Sequence, residues 1–136
     1  MDKFVTRHVS MVRASSRTGR GALPHSLSYL PWNWAEDVGP RPCVADDTTS
    51  LTYDEFRHRV DVVAAQLRAE GVGEGDVVAV MLPNRVELVL VLFAAWRLGA
   101  TATPVNPAFT SAEAGHQLSD SGTTLLVNAG PEAPDG

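Results

Sequence analysis

The sequence predicts an α/β fold in which a parallel sheet is covered by helices. Between residues 51 and 128, segments with helical periodicity alternate three times with apolar runs of strand length. This alternation is typical of parallel sheets built through right-handed crossovers. The run DVVAVML at 76–82 is almost wholly apolar, as expected for a strand that is buried on both faces. With 136 residues, the chain has room for one domain of ordinary size.

The first helix is predicted from LTYDEFRHRVDVVAAQLRAEGVG at 51–73. Thr52 and Glu55 have the spacing of a capping box, in which each side chain binds a free N–H at the helix start. Gly71 is suited to end the helix in the left-handed conformation. One apolar face is expected from five residues that recur at helical spacing: Phe56, Val60, Val63, Ala64 and Leu67.

The second helix is predicted to start at another capping pair, Asn84 and Glu87, and to stop at Gly99. Residues 86–105 form an apolar stretch that resembles a membrane span, but charged residues, Gly99 and Pro104 interrupt it. A span needs about 20 apolar residues in sequence. We therefore interpret this stretch as a buried helix followed by a buried strand, TATPV, and predict no membrane span.

The third helix is predicted between Thr110 and Asp120, with Thr110 and Glu113 as its capping pair. Gly115 lies inside this helix, where glycine costs up to ~1 kcal/mol relative to alanine. The helix is therefore expected to be loosely held. TTLLVN at 123–128 is predicted to be the last strand.

The chain divides into three predicted regions. Residues 1–26 are a basic leader and 129–136 a Pro/Gly/Ala tail, both expected to be disordered. Residues 27–128 form the α/β segment. It opens with large side chains in LSYLPWNW at 27–34, expected to dock as a short helix or turn. PCVADDTTSLTY at 42–53 is a predicted hairpin with its turn at Asp46, Asp47, Thr48 and Thr49.

Charge and cysteine content exclude some classes of function. The net charge of -5 argues against nucleic acid as a partner, because phosphate backbones are bound by clustered basic residues. The single cysteine, Cys43, cannot form an internal disulfide and favours the cytoplasm. Beside Pro42 and Val44, it is expected to pack as a small hydrophobe. The Arg- and Ser-rich leader resembles a transit peptide, although a disordered leader or a start codon placed too far upstream is the favoured interpretation.

Two glycine-containing motifs resemble nucleotide-binding loops. Ser121-Gly122-Thr123-Thr124 has the letters of a phosphate loop, but no second glycine or lysine follows, and Lys3 is the only lysine in the chain. GVGEGD at 71–76 resembles a dinucleotide motif, yet it follows a predicted helix and precedes a strand, which reverses the order that such a motif requires. We interpret the first as the entry to a strand and the second as a turn.

The other candidate site residues lack the spacing that a catalytic triad or a metal site requires. His116 and Asp120 lie four residues apart on one helix, with Ser119 and Ser121 nearby, and are interpreted as an exposed helical pair rather than a triad. Three further histidines have no partner at metal-ligand spacing: His8, His25 and His58. We therefore predict no catalytic, cofactor-binding or metal-binding residue in this chain.

Two stretches together carry a family resemblance. LTYDEF at 51–56 heads a helix that ends in LRAEGVGEGDVVAVMLPN, and WRLGATATPVNPAFTSAEAGHQLSDSG follows at 96–122. In order and spacing they resemble the N-terminal portion of the AMP-forming adenylating enzymes, which include acyl-CoA and aryl-CoA synthetases, luciferases and peptide-synthetase adenylation domains. The resemblance covers about residues 40–128. Asn106-Pro107 stands where peptide synthetases usually have an aspartate, so the closest likeness is to fatty-acyl-CoA and coumarate-type CoA ligases.

The resemblance implies a partial N-terminal subdomain of a ligase. In that family a carboxylate attacks the α-phosphate of ATP to give an acyl-adenylate and pyrophosphate, and a thiol, often that of CoA, displaces AMP. A carboxylic acid, ATP, Mg²⁺ and CoA are thereby implied for the full-length enzyme. The family's lysine-bearing phosphate loop, its aromatic-Gly-Thr-Glu and Thr-Gly-Asp segments and its late lysine are not found in this sequence.

We therefore expect a fragment that ends before the active site, is inactive alone and holds no cofactor. Two alternatives are a module that pairs with a separately encoded ligase remainder, and an inert remnant of a frameshifted gene.

Overall fold

The structure is a computed structural model that describes residues 10–13 and 38–129. In these residues the chain forms six strands, β1 (Ser10–Arg13), β2 (Pro42–Ala45), β3 (Ser50–Thr52), β4 (Val77–Met81), β5 (Thr101–Pro104) and β6 (Leu125–Asn128). Its three helices are α1 (Tyr53–Ala69), α2 (Val86–Arg97) and α3 (Ser111–Asp120). The predicted LSYLPWNW patch at 27–34 and residues 130–136 of the predicted tail lie outside the described residues.

Four strands form one sheet in the order β1-β6-β4-β5. Strand β4 pairs in parallel with β5 on one side and with β6 on the other, so that Val78 lies opposite both Ala102 and Leu125. The predicted parallel sheet is confirmed. Strand β1 adds an antiparallel edge against β6, with Ser10 opposite Asn128. It lies within the segment 1–26, for which the sequence predicts disorder, so these four residues have a place in the sheet that their composition did not indicate.

Alternate residues of β4 face two separate cores, as the geometry of a strand requires. Val78 and Val80 contribute to the larger cluster, which includes the buried residues of α1 and α2. Ala79 and Met81 contribute to a smaller cluster with Ala114 of α3. Helices α1 and α2 therefore cover one face of the sheet and α3 the other. Helix α3 is the less firmly packed, because Ala114 is its one buried residue.

The first helix confirms its predicted apolar face, since all five residues named for it are buried. Gly71 follows the helix with a φ of 88°, in the left-handed conformation that was expected. Helix α2 is also confirmed as a helix, and its end at Arg97 precedes Gly99, which has a φ of 73°. None of the described helices has the length and apolarity needed to cross a membrane.

Strand β5 differs from its prediction. It was expected to be buried, but Thr101 and Pro104 are exposed and the two residues between them are half-buried. The reason is its position, since in the described sheet β5 pairs with β4 and stands at the edge. A proline lacks an N–H to donate, which makes Pro104 compatible with an edge strand.

The predicted hairpin is confirmed as β2 and β3, which pair antiparallel with an irregularity between Pro42 and Val44. Asp46 N donates to Thr49 O at 2.8 Å and closes the turn. The hairpin lies beside the start of α1, where Tyr53 N donates to Arg41 O at 3.1 Å and Asp54 N donates to Gly39 O at 3.0 Å. Residues 38–53 are thus fixed to the start of α1, on the face of the sheet that α1 and α2 cover.

Candidate functional site

The carboxyl ends of the parallel strands mark the candidate functional site. Strands β4, β5 and β6 are parallel, so the loops that follow them meet at one edge. The chain leaves β4 for β5 on one side and later reaches β6 on the other, which makes the gap between β4 and β6 a topological switch point. Open α/β sheets bind ligands at such points. Exposed Asn84 and Arg85 follow β4 there, and the buried Asn128 ends β6.

Helices α1 and α3 begin with reciprocal capping boxes. Thr52 N donates to Glu55 Oε2 at 2.8 Å, and Glu55 N donates to Thr52 Oγ1 at 3.3 Å. Thr110 N donates to Glu113 Oε2 at 2.8 Å, and Glu113 N donates to Thr110 Oγ1 at 3.3 Å. The bonds from the threonine backbone lower the pKa of Glu55 and of Glu113. Both predicted boxes are confirmed.

Helix α2 is capped by a side chain from the hairpin. Asp46 Oδ2 accepts a hydrogen bond from Val86 N at 2.9 Å. Its Oδ1 accepts from Thr48 N and Thr49 N, each at 2.8 Å. These backbone N–H groups, that of Val86 foremost, hold the pKa of Asp46 well below its usual range. One carboxylate thereby fixes the turn of the hairpin and joins it to the start of α2.

The predicted capping pair of α2, Asn84 and Glu87, is wrong. The residue before the helix is Arg85, which makes no side-chain capping hydrogen bond. A capping box needs a spacing of three residues, and Glu87 lies only two after Arg85. The first N–H of the helix, that of Val86, is bound instead by Asp46, which is 40 residues away in sequence.

A carboxylate of the chain itself lies at the start of each described helix. A helix N-terminus attracts phosphate because its free N–H groups and its dipole favour negative charge. In the part of the chain that the structure describes, Asp46 binds the first N–H of α2, whereas Glu55 and Glu113 bind the N–H of the threonine that precedes α1 and α3. The negative charge at each of these helix starts disfavours the binding of phosphate there.

The Ser121–Thr124 motif connects α3 to β6. Gly122 has a φ of 65°, and the hydroxyls of Ser121 and Thr123 lie 2.8 Å apart in a hydrogen bond. Thr124 Oγ1 donates to Val77 O at 2.9 Å and accepts from Val77 N at 3.1 Å. These hydroxyls therefore bind backbone and one another, at the amino ends of β4 and β6, which is the edge opposite the candidate site.

The GVGEGD motif lies at the same amino edge, between α1 and β4. Gly73 N donates to Asp76 Oδ2 at 2.8 Å, and Gly75 N donates to Gly99 O at 3.1 Å. Its amides thus serve two internal turns. The interpretation of this motif as a connection from helix to strand agrees with the element order.

The remaining candidates are dispersed. His116, Ser119 and Asp120 are exposed on α3, and no side-chain hydrogen bond joins them within the described structure. Cys43 is half-buried against the larger core, and burial raises the pKa of its thiol. Across the described residues, no group of three or more His, Cys, Asp or Glu side chains could hold a metal ion. His8 and His25 lie outside the described residues.

Comparison with known proteins identifies the family. The pattern of the AMP-binding enzymes matches residues 31–135. The chain belongs to the AMP-binding enzyme family. Its family relatives include 4-coumarate–CoA ligase 3 of Oryza sativa, 41% identical over 93 residues, which covers 67% of this chain and 17% of that protein. Long-chain-fatty-acid–CoA ligase FadD13 of Mycobacterium tuberculosis is 36% identical over 84 residues, covering 62% of this chain and 17% of that protein.

A solved member of the AMP-binding family has the same fold. o-Succinylbenzoate CoA synthetase from Bacillus subtilis, in complex with the acyl-adenylate intermediate OSB-AMP, matches with a TM-score of 0.66 and 29% identity. The match covers 70% of this chain and 25% of that protein. The chain thus spans about a fifth of the length of the relatives that it matches, at their N-terminal part.

Sequence reasoning missed two features of this AMP-binding scaffold. The switch point between β4 and β6 depends on strand order, for which the sequence carries no local signal. Asp46 was assigned to the turn correctly, but its second role needed the three-dimensional contact with Val86. In the sequence, Asp46 indicates the turn alone.

Proposed function

We propose that this chain forms the N-terminal scaffold of an AMP-forming acid–CoA ligase and does not itself bind ATP or form an acyl-adenylate. The parent reaction joins a carboxylate to the α-phosphate of ATP with release of pyrophosphate, and the thiol of CoA then displaces AMP. The relatives favour a fatty or aromatic acid as the substrate of the complete enzyme. Because a chain with a single cysteine has no internal disulfide and fits a reducing compartment, we propose that the protein is cytoplasmic.

One observation carries this proposal: the described scaffold uses its own phosphate-binding elements internally. Transfer of a phosphoryl or adenylyl group needs cations and oriented N–H donors around the phosphates. A carboxylate lies at each described helix start instead, and the Ser121–Thr124 hydroxyls bind the protein itself. The sequence contains one lysine, Lys3. We infer that the groups for ATP and Mg²⁺, and for CoA, come from polypeptide other than residues 38–129.

ATP–pyrophosphate exchange with a panel of fatty and aromatic acids tests the proposal. The purified chain should give only the background rate, while a full-length 4-coumarate–CoA ligase serves as the positive control. Exchange above background by the chain, free of contaminating ligase, overturns the proposal. A chimera supplies the matched control: residues 40–128 replace the corresponding segment of that ligase, and activity should be retained. A folded but inactive chimera contradicts the role as scaffold.

The same assay separates the alternatives. Strand β5 stands at the edge of the described sheet and is half-buried only at its two central residues. An unpaired strand edge offers backbone groups to another chain, which favours a module that pairs with a separately encoded remainder of the ligase. Exchange that appears only when the remainder of a ligase is added supports that module. No exchange in any mixture, together with an active chimera, supports an inert remnant with an intact scaffold.

A further inference from the structure

Helix α2 is apolar on both of its faces. One face, with Leu90, Val91, Ala94 and Ala95, is buried in the larger core. The opposite face has four residues at helical spacing, which we call the α2 stripe: Val89, Leu92, Phe93 and Trp96. The first three are half-buried and pack against the edge of the same core, and Trp96 is 40% exposed, the exposed large hydrophobic residue of the described chain. A helix that is apolar all round is typical of one that is covered on both faces.

An aromatic path joins the stripe to the start of α1. The rings of Phe56 and Phe93 lie 5.2 Å apart at 81°, and those of Phe93 and Trp96 lie 4.9 Å apart at 61°. Both are edge-to-face arrangements, which favour aromatic packing. The path begins in the first turn of α1 and ends at the surface.

The chain enters the described structure beside the beginning of that path. Gly39 O accepts from Asp54 N, two residues before Phe56. Residues 27–34 are separated from Val38 by three residues, and an extended chain spans about 3.3 Å per residue. The segment is therefore tethered within reach of the stripe, since the path from Phe56 to Trp96 takes only two ring-to-ring steps.

The segment has the composition that would cover an aromatic surface. LSYLPWNW contains no charged residue and has five large side chains, Leu27, Tyr29, Leu30, Trp32 and Trp34. Exposed apolar surface of this kind is unfavourable for both partners, and burying it stabilises by about 25 cal/mol per Å². A tethered segment also loses less entropy on docking than a free partner would.

We propose that residues 27–34 of this chain dock on the α2 stripe and cover Trp96 with their aromatic side chains. The interaction is intramolecular and does not depend on the adenylation reaction. It makes the segment part of the folded scaffold rather than a linker in front of it.

Fluorescence of Trp96 tests the docking, because the chain has three tryptophans and two of them lie in the segment. In a full-length W32F/W34F variant, Trp96 is the one remaining indole and the docking side chains stay aromatic. Replacing Leu30, Trp32 and Trp34 together with serine leaves the same single indole without the apolar cover. Acrylamide quenching of Trp96 should be several-fold stronger in the serine variant, with emission shifted to longer wavelength.

Equal quenching in the two variants overturns the proposal, and so does protection of Trp96 that appears only at high protein concentration, which indicates a second copy as the cover. Far-UV circular dichroism checks that the serine variant folds. If it does not, Trp96→Ser is the second variant, since it leaves the segment intact. The emission of Trp32 and Trp34 should then move to longer wavelength, and unchanged emission overturns the docking.

Discussion

At the scale of single residues, Asp46 has two structural roles that its neighbour lacks. Its two oxygens bind N–H groups of the hairpin turn and of α2, and so join parts of the chain that are 40 residues apart. Asp47 is exposed and makes no hydrogen bond within the described structure. Two adjacent aspartates of one turn therefore differ in what their carboxylates contribute to the fold.

Substitution of these two aspartates should have unequal effects on stability. In Asp46→Asn, the amide keeps one acceptor oxygen, so either Val86 N or the N–H groups of Thr48 and Thr49 lose their acceptor. We expect the midpoint of urea unfolding to fall clearly in Asp46→Asn and to change little in Asp47→Asn. Equal midpoints for the two variants would show that having both carboxylate oxygens of Asp46 as acceptors contributes nothing to the stability of the fold.

At the scale of secondary-structure elements, the features that the sequence predicted are local ones. The capping boxes of α1 and α3 join residues three apart, and the hairpin turn closes between Asp46 and Thr49. The apolar face of α1 repeats within a single helix. Each of these features is encoded within one short stretch of sequence, so periodicity and spacing predict it.

The features that were missed depend on distant contacts. The start of α2 is set by Asp46 from the hairpin, and the exposure of β5 follows from its place at the sheet edge. The pairing of β1 with β6 joins residues more than 100 positions apart. The candidate site at the carboxyl ends of β4 and β6 depends on strand order in the same way. Local patterns contain no information on such pairings.

Helix α3 should be stabilised by an alanine at its internal glycine. Gly115 is exposed, and a Cβ atom built there meets no heavy atom within 4 Å. Gly115→Ala should therefore raise the free energy of unfolding by up to ~1 kcal/mol, because alanine restricts the unfolded chain and favours the helix. Urea denaturation measures the change.

Gly99→Ala is the control of opposite sign. Its φ of 73° is one that residues with a side chain rarely adopt, and Glu74 lies 3.3 Å from the added Cβ atom. This variant should be less stable than the natural chain. A Gly115→Ala chain that is no more stable than the natural one would mean that α3 is not a regular helix around residue 115.

At the scale of the whole molecule, the scaffold places negative charge where its backbone is most positive. Asp46, Glu55 and Glu113 each lie at a helix start, and each has its pKa lowered by backbone N–H groups. These carboxylates stabilise the helix starts, and Asp46 also joins the hairpin to α2. This charge distribution supports our proposal that other parts of a complete ligase bind the phosphates of ATP.

The same three carboxylates predict how stability depends on pH. Because their pKa values are lower in the folded chain than the ordinary values of about 3.9 and 4.3, the unfolded chain takes up protons first as the pH falls. The stability that they contribute is fully present above those ordinary values and is lost as the pH falls through the folded ones. The urea midpoint should therefore decline below about pH 4. Asp46→Asn removes one of the three groups, so its midpoint should decline less steeply over that range, and an equally steep decline would show that Asp46 titrates in the folded chain as it does in the unfolded one.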